Sequence, residues 1–160
     1  IALVKKQKPI LGVIYVPCSN ELYYALEGFG AFKATIDGSY KGLESLLKNS
    51  SKLPLNQNRS NFIVVGSRSH MSKETQKYFD KKKNEYDSVE VLAVGSSLKI
   101  CMVAEGKADV YPRYAPTMEW DTAAGHAIAN MAGFKIIEYN SSNEIIYNKE
   151  ELLNPWFLVS

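Results

Sequence analysis

The sequence has little of what marks a membrane protein, a disulfide-stabilised protein or a nucleic-acid-binding protein. No apolar run approaches the ~20 residues that a membrane-spanning helix needs. The two cysteines, Cys18 and Cys101, lie far apart without metal-ligand spacing, so reduced, partly buried thiols are favoured over a disulfide framework. The formal net charge of +2 demands neither a nucleic acid nor a membrane, and it does not forbid an anionic small ligand.

What the sequence does have is the composition of an ordinary globular domain. Apolar residues make up 46% and charged residues 22% of its 160 residues, enough for one domain with a substantial core. The chain begins Ile1-Ala2-Leu3-Val4, inside an apolar, β-prone run. We therefore expect an upstream part of the protein to precede this chain.

Local patterns divide the chain at about residue 40. Apolar, β-prone runs at 1–5, 9–16, 20–27 and 30–36 alternate with turn residues and predict an antiparallel meander. A polar stretch, 41–61, is expected to form a short helix and a connector. We therefore expect residues 1–40 to form strands of one domain's sheet and residues 41–160 to form a second, α/β domain.

The second part alternates strands and helices, which predicts an α/β layer. Ser72 is expected to cap one helix, and Gly133 to end another as its C′ residue. The predicted strands are 62–66, 89–94, 108–111, 134–139, 145–147 and 157–159, and the predicted helices are 72–84, 98–106 and 121–132.

Three turns connect the end of a predicted strand to the start of a predicted helix, which is where ligands bind in open α/β sheets. They run from Ser67 to His70, from Gly95 to Lys99 and from Pro116 to Asp121. Hydroxyl groups there can donate to phosphate oxygens, and cations can neutralise phosphate charge. The hydroxyls are Ser67, Ser69, Ser96 and Ser97, and the cations are Arg68, Lys99 and Arg113.

Each of these residues also has a structural interpretation. Ser69 and Ser97 are expected to be helix caps, and Arg68 a solvated surface group. His126 falls off the predicted apolar face of its helix and is expected to be partly exposed, which leaves His70 as the stronger functional candidate. Five lysines between residues 73 and 83 are expected to form a solvated helix face, with no nucleic acid as a partner.

The run from Glu119 to Ile128 places Asp121 behind a large aromatic residue and ahead of a helix rich in alanine and glycine. The small residues predict close packing of this helix against its neighbours. A carboxylate at a helix start can hold a metal ion, and the adjacent N–H groups can receive phosphate. An Asp in that position can equally serve only as the helix N-cap.

Together these motifs resemble the CysQ-type 3′(2′),5′-bisphosphate nucleotidases of the inositol monophosphatase-like superfamily. The resemblance extends from Ala2 to Val159 and includes PILGVIYVP, GFGAFK, VVGSRSH and LLNPWF. The W-D-x-A-A-G element at 120–125 is typical of the superfamily, while the S-R-S-H turn and the P-R-Y-A-P-T-M-E-W-D stretch favour the nucleotidase branch. Phe134 departs from the superfamily's usual Gly or Ala.

The resemblance implies specific roles. Asp121 would be a metal ligand, while Ser67, His70, Gly95 and Lys99 would contact the nucleotide substrate, adenosine 3′,5′-bisphosphate. Arg113 and Glu119 would flank the site. The implied fold is the C-terminal portion of the inositol monophosphatase-like phosphatase fold, a mixed sheet flanked by helices, with the meander left from the N-terminal domain's sheet.

The family's other metal ligands come from an upstream Glu and an Asp-Pro-Ile/Leu-Asp-Gly-Thr segment, and neither is in this sequence. The implied activity is Mg²⁺-dependent hydrolysis to AMP and phosphate by the full-length protein in the cytoplasm, with peripheral association with the inner membrane as an alternative. We expect this chain alone to be inactive and to self-associate through an exposed meander. Rival hypotheses are a phosphatase acting on inositol phosphates or fructose 1,6-bisphosphate, and a non-catalytic nucleotide-binding module.

Overall fold

The meander predicted for the first part of the chain is present. The computed structural model describes residues 1–38, 41–55, 58–66 and 72–160. Strands β1 (Ala2–Lys5), β2 (Lys8–Val16), β3 (Glu21–Leu26) and β4 (Gly30–Thr35) pair antiparallel in sequence order. Lys6 and Gln7 both have positive φ, which is the geometry of the tight hairpin turn that joins β1 to β2.

The same sheet gains a fifth strand, β5 (Ser51–Lys52), which pairs with β4. Between them in sequence lies the short helix α1 (Leu43–Lys48), in the polar stretch where a short helix and a connector were expected. Strand β5 comes from the segment assigned to the second domain, and the domain boundary at residue 40 stays a prediction.

A βαβ unit follows. Strands β6 (Phe62–Gly66) and β7 (Val89–Ala93) are parallel, and helix α2 (Lys73–Glu85) connects them. The Ser72 hydroxyl accepts the Thr75 N–H at 3.1 Å, so the predicted cap is confirmed.

The remaining elements are helix α3 (Leu98–Ala104), strand β8 (Tyr111–Arg113), helix α4 (Glu119–Met131), strand β9 (Ile136–Glu138) and strand β10 (Phe157–Val159). The three strands form a second antiparallel sheet in the order β8-β10-β9. Gly133, at φ 93°, follows the last residues of α4 as predicted. The α/β class is therefore confirmed.

Two predicted strands are wrong in position or type. The strand expected at 108–111 begins at Tyr111, because the N–H groups of Asp109 and Val110 instead donate to Ile63 O in β6. Residues 145–147 form no strand: the Ile145 N–H donates to Ile136 O, but the Tyr147 N–H donates to Gln7 O in the β1–β2 turn.

Helix α4 is the centre of the molecule, and its small residues bring it against both the meander and α3. A Cβ on Gly12 of β2 would collide with the Ala124 carbonyl, and one on Gly125 would collide with Ile100. Ile128 of α4 and Cys101 of α3 share one buried cluster with Tyr23 of β3. The predicted close packing of this helix is confirmed.

Both cysteines are free thiols, Cys18 exposed and Cys101 buried. Among the residues described, each helix is too short or too polar to cross a lipid bilayer.

Candidate functional site

A cavity of about 380 Å³ opens where the β7–α3 and β8–α4 turns meet. It brings together Lys99, Arg113 and Asp121, three of the residues singled out from the sequence. The other residues that line it are Ser96, Ser97, Ile100, Tyr111, Pro116, Thr117, Trp120, Thr122 and Phe157.

Asp121 is the third residue of α4 and is exposed at this cavity. Its Oδ2 accepts the Met118 N–H at 2.9 Å, so the carboxylate caps the helix start from inside the first turn. Met118, not Asp121, occupies the N-cap position. The partial positive charge of a helix N-terminus favours an acidic residue at this position.

Lys99 also lines this cavity and is buried, with 6% of its surface exposed. Its ammonium group donates to the carbonyls of Ser96 (3.0 Å) and Val94 (3.3 Å). Burial lowers the pKa of Lys99 below its usual range, and the positive charge of Arg113 lowers it further. Among the residues described, the ammonium group of Lys99 forms no ion pair with a carboxylate.

Arg113 reaches the cavity from β8. One guanidinium nitrogen donates to Pro116 O at 3.0 Å, while the buried Nε has no hydrogen-bond partner within the described part of the chain. A buried donor without a partner is costly; this Nε is shielded from solvent, but the guanidinium group lines the cavity, and its planar set of N–H donors suits an anionic oxygen there. Two cations and one carboxylate leave the cavity with a net positive charge, which suits a phosphate group.

The turn before α3 contributes two hydroxyl groups. Ser97 occupies the N-cap position as predicted, but its side chain makes no capping bond, so the expected side-chain cap is wrong. Ser96 adopts a left-handed conformation with φ 58°. Gly95 directly precedes them, and a Cβ there would meet nothing within 4 Å.

Ser67 and His70, the other predicted nucleotide contacts, lie outside the described residues, as do Arg68 and Ser69.

Two predictions about the residues of α4 need correction. His126 is not partly exposed but 1% exposed, because Tyr147 and Glu144 fold over it: its Nδ1 lies 3.0 Å from the Tyr147 hydroxyl. Glu119 does not line the cavity. Its carboxylate binds the Lys149 ammonium (2.6 Å) and the Asn148 N–H (2.7 Å), which makes it a structural anchor for the 148–149 turn.

Tyr111 and Thr117 belong to the cavity and were not anticipated. Tyr111 lies two residues before Arg113 in β8, so the two side chains share a face. That signal is in the sequence, but the strand predicted at 108–111 ended before Arg113. Burial raises the pKa of Tyr111 to about 12, so its hydroxyl stays protonated at neutral pH and can donate.

The donor set fits Mg²⁺ only as one wall of a site. A carboxylate oxygen is a ligand that Mg²⁺ prefers, and Asp121 offers one at an open cavity. Among the residues described, however, no three His, Cys, Asp or Glu side chains converge. Asp121 could therefore contribute to a metal centre that other residues complete.

A larger cavity, about 870 Å³, lies beside the C-terminal half of α4. Its charged lining consists of two lysines, Lys8 and Lys149, and three glutamates, Glu138, Glu144 and Glu151. Because these charges offset one another, this cavity offers no comparable preference for an anion, and the smaller one is the candidate site.

Comparison with known proteins places this geometry in context. The model of the inositol monophosphatase family matches residues 1–157. The chain is 39% identical over 160 residues to the 3′(2′),5′-bisphosphate nucleotidase CysQ of Shigella flexneri, covering 100% of this chain and 58% of that protein. The chain thus spans little more than half the length of this relative.

Solved structures of the same family are similar to this chain in fold. CysQ from Bacteroides thetaiotaomicron, a bacterial member of the inositol monophosphatase family, superposes with a TM-score of 0.93 at 50% identity, covering 99% of this chain and 60% of that one. Inositol monophosphatase II from Staphylococcus aureus superposes with a TM-score of 0.71 at 20% identity, covering 99% of this chain and 53% of that one, and shows the shared fold alone.

Proposed function

The chain belongs to the inositol monophosphatase family, and from this premise we propose that the complete protein is a Mg²⁺-dependent 3′(2′),5′-bisphosphate nucleotidase. Its substrate would be adenosine 3′,5′-bisphosphate, and its products AMP and inorganic phosphate. The observation that carries the proposal is the pairing, in one cavity, of two cations that lack carboxylate partners among the described residues with the Asp121 carboxylate.

Each residue would have a defined task. Lys99 and Arg113 would bind phosphate oxygens, Lys99 as a point charge and Arg113 through its planar guanidinium. The hydroxyls of Ser96 and Ser97 would donate further hydrogen bonds. Ser67, His70 and Gly95 are proposed nucleotide contacts from the family resemblance. Asp121 would be one of the ligands that hold Mg²⁺, which would supply an activated water and charge stabilisation for the phosphoryl oxygens.

The remaining ligands would come from the part of the protein that this chain does not cover, since the chain accounts for only 58% of a relative's length. One carboxylate binds Mg²⁺ weakly, because the ion gives up its water shell reluctantly. We therefore propose that this chain alone is inactive and that the uncovered part is its obligatory partner.

The uncovered part would also need a surface to pack on, and the meander offers one. Leu3, Tyr15, Leu26 and Phe29 are each at least 44% exposed there. Leu3, Leu11 and Leu26 lie in cross-strand register on the same face. In the isolated chain we propose that this apolar face drives self-association instead. The cytoplasmic location implied by the resemblance stays a prediction.

The test is a substrate panel on the full-length protein with and without Mg²⁺. Adenosine 3′,5′-bisphosphate, inositol 1-phosphate and fructose 1,6-bisphosphate are compared by phosphate release, with Asp121→Asn as the inactive control. The proposal requires the bisphosphate nucleotide to have the highest kcat/KM. Preference for inositol 1-phosphate would establish the rival phosphatase instead.

A second function applies to the isolated chain alone. Because the cavity keeps both cations but only one carboxylate, it could bind a nucleotide phosphate without hydrolysing it. A calorimetric titration of AMP into this chain without metal tests whether the cavity binds a nucleotide phosphate, and the absence of binding heat would contradict this second function. Hydrolysis by this chain at the full-length rate would refute both the binding-module hypothesis and the need for a partner segment.

A further inference from the structure

The segment before β10 runs antiparallel to the residues that begin α4. Met118 and Leu153 form an isolated bridge, and the Glu119 N–H donates to Leu152 O at 3.0 Å. The Asn154 N–H donates to Thr117 O at 2.8 Å. The start of α4 is therefore held by backbone hydrogen bonds from residues that lie more than thirty positions later in the sequence.

The side chain of Asn154 reinforces this contact from inside the protein, where only 4% of the residue is exposed. Its Nδ2 donates to Met118 O at 2.8 Å and to Thr122 Oγ1 at 3.0 Å, with Thr117 Oγ1 at 3.3 Å. The carbonyl can only accept, so the amide orientation is fixed with nitrogen toward Met118. Its Oδ1 has no hydrogen-bond partner within the described part of the chain, so the amide is held by the contacts of its Nδ2 alone.

Met118 is thus held on both sides by one residue. The Thr117–Met118 peptide accepts at its carbonyl from the Asn154 N–H, and the same peptide donates its N–H to Asp121 Oδ2 at 2.9 Å. The following peptide is fixed at Met118 O by the Asn154 amide. Asn154 therefore fixes the peptide whose N–H donates to the Asp121 carboxylate.

We propose that Asn154 is a positioning residue for metal binding, acting through Met118 on Asp121. The inference rests on the proposed function for its metal. An exposed carboxylate has several rotamers, and a metal ligand must keep one of them. Residues that orient metal ligands in this way typically change metal affinity by about 10–100-fold when removed.

The test measures Mn²⁺ binding to the full-length protein by calorimetry, which does not depend on catalysis. Asn154→Ala removes the amide, and Asn154→Ser is the milder change if the alanine variant folds poorly. Asn130→Ala is the matched control: it removes a side-chain amide that donates to Glu144 at 3.1 Å, in the last turns of α4 and about three helical turns from Met118. Thermal unfolding records the stability lost in each variant.

The Asn154 variants should raise the Mn²⁺ dissociation constant about tenfold, with Asn130→Ala within about twofold of wild type. Equal metal affinity in all variants, with only lower Tm, would overturn the inference and leave Asn154 a structural residue. Wild-type protein that binds Mn²⁺ but hydrolyses no phosphate ester would refute the proposed function alone, because the affinity comparison still stands. Wild-type protein that binds no Mn²⁺ would overturn both.

Discussion

The ammonium group of Lys99 lies 5.4 Å from the centre of the Tyr111 ring, inside the wall of the candidate site. An aromatic face attracts a cation without neutralising it, so the charge stays available to a ligand. The two backbone carbonyls that accept from Lys99 act in the same way. These groups offset part of the cost of burying the charge, although burial still lowers the pKa of Lys99, and none of them carries a negative charge that would compete with an anion.

Replacing Lys99 by methionine should weaken phosphate binding at least tenfold. A hydrogen bond between charged groups contributes about 1.5–3 kcal/mol, and 1.4 kcal/mol corresponds to one factor of ten. The measurement is the KM for adenosine 3′,5′-bisphosphate in the full-length protein, or the dissociation constant of AMP. Lys77→Met, at an exposed position of α2, makes the same charge change away from the cavity and should have no effect. Equal losses in both variants would point to net charge rather than to the cavity.

Glu105→Gln should destabilise the fold by about 2 kcal/mol, since it removes the charge-assisted hydrogen bonds from Lys33 and Lys107, although Lys33 keeps its ion pair with Glu21. The Glu105 carboxylate is 1% exposed and binds Lys33 (2.8 Å), Lys107 (2.9 Å) and the Tyr23 hydroxyl (2.8 Å). Burial alone raises the pKa of Glu105, but hydrogen bonds from Lys33, Lys107 and Tyr23 outweigh it and hold the pKa below its usual value.

The sign of the pH effect at Glu105 follows from that lowered pKa. Its contribution to stability is complete above the unfolded-state value near 4.5 and is lost as pH falls through the lower folded-state pKa. Urea unfolding of wild type and Glu105→Gln between pH 7 and 3 should therefore converge at the acid end. A constant difference across that range would contradict the assignment.

Local patterns were sufficient where the partners of a residue are near in sequence. The alternation of the first 36 residues predicts β1 to β4, because each strand pairs with its neighbour along the chain. The small residues of α4 predict its close packing, since Gly125 and its alanines have no side chain long enough to keep a neighbour away. The approach of Lys99, Arg113 and Asp121 follows from the strand-to-helix turns that carry them.

Long-range partners explain what local patterns missed. His126 is buried by Tyr147, which lies 21 residues later. Residues 145–147 lose their strand because the Tyr147 N–H finds Gln7 O at the other end of the chain. Asn154 belongs to the LLNPWF motif, which the sequence shows. Its hydrogen bond to Met118 O joins residues 36 positions apart, which local patterns do not predict.

Gly12→Ala should destabilise the protein by about 2 kcal/mol, although Gly12 lies in a regular strand. The added Cβ would overlap the Ala124 carbonyl, and backbone on both sides leaves little room to relax. Thermal and urea unfolding measure the effect. Gly95→Ala is the matched control for stability, because its Cβ would meet nothing within 4 Å, and it should change the free energy of unfolding by less than about 0.5 kcal/mol. Equal stability of both variants would show that α4 does not rest on β2 at this point.

His126 should make the protein less stable as pH falls from 6.5 toward 5. Burial lowers the pKa of His126 to about 4, while the charge of Glu144 opposes this shift. The unfolded chain therefore binds a proton that the native state refuses, and stability decreases with falling pH between the two values, by up to about 3 kcal/mol in total. Urea unfolding of wild type and His126→Gln at pH 7, 6 and 5 measures the slope.

In the His126→Gln variant this part of the slope should disappear, even though the variant is less stable at pH 7 through the loss of the contact with Tyr147. Both proteins retain Glu105, so the contribution of its carboxylate cancels when the two slopes are compared. Parallel slopes in the two proteins would show that folding leaves the pKa of His126 unchanged, and a wild-type stability that rises as pH falls would show that the native state holds His126 protonated. In that case Glu144, whose Oε2 lies 3.4 Å from Nε2, would form a buried ion pair with it.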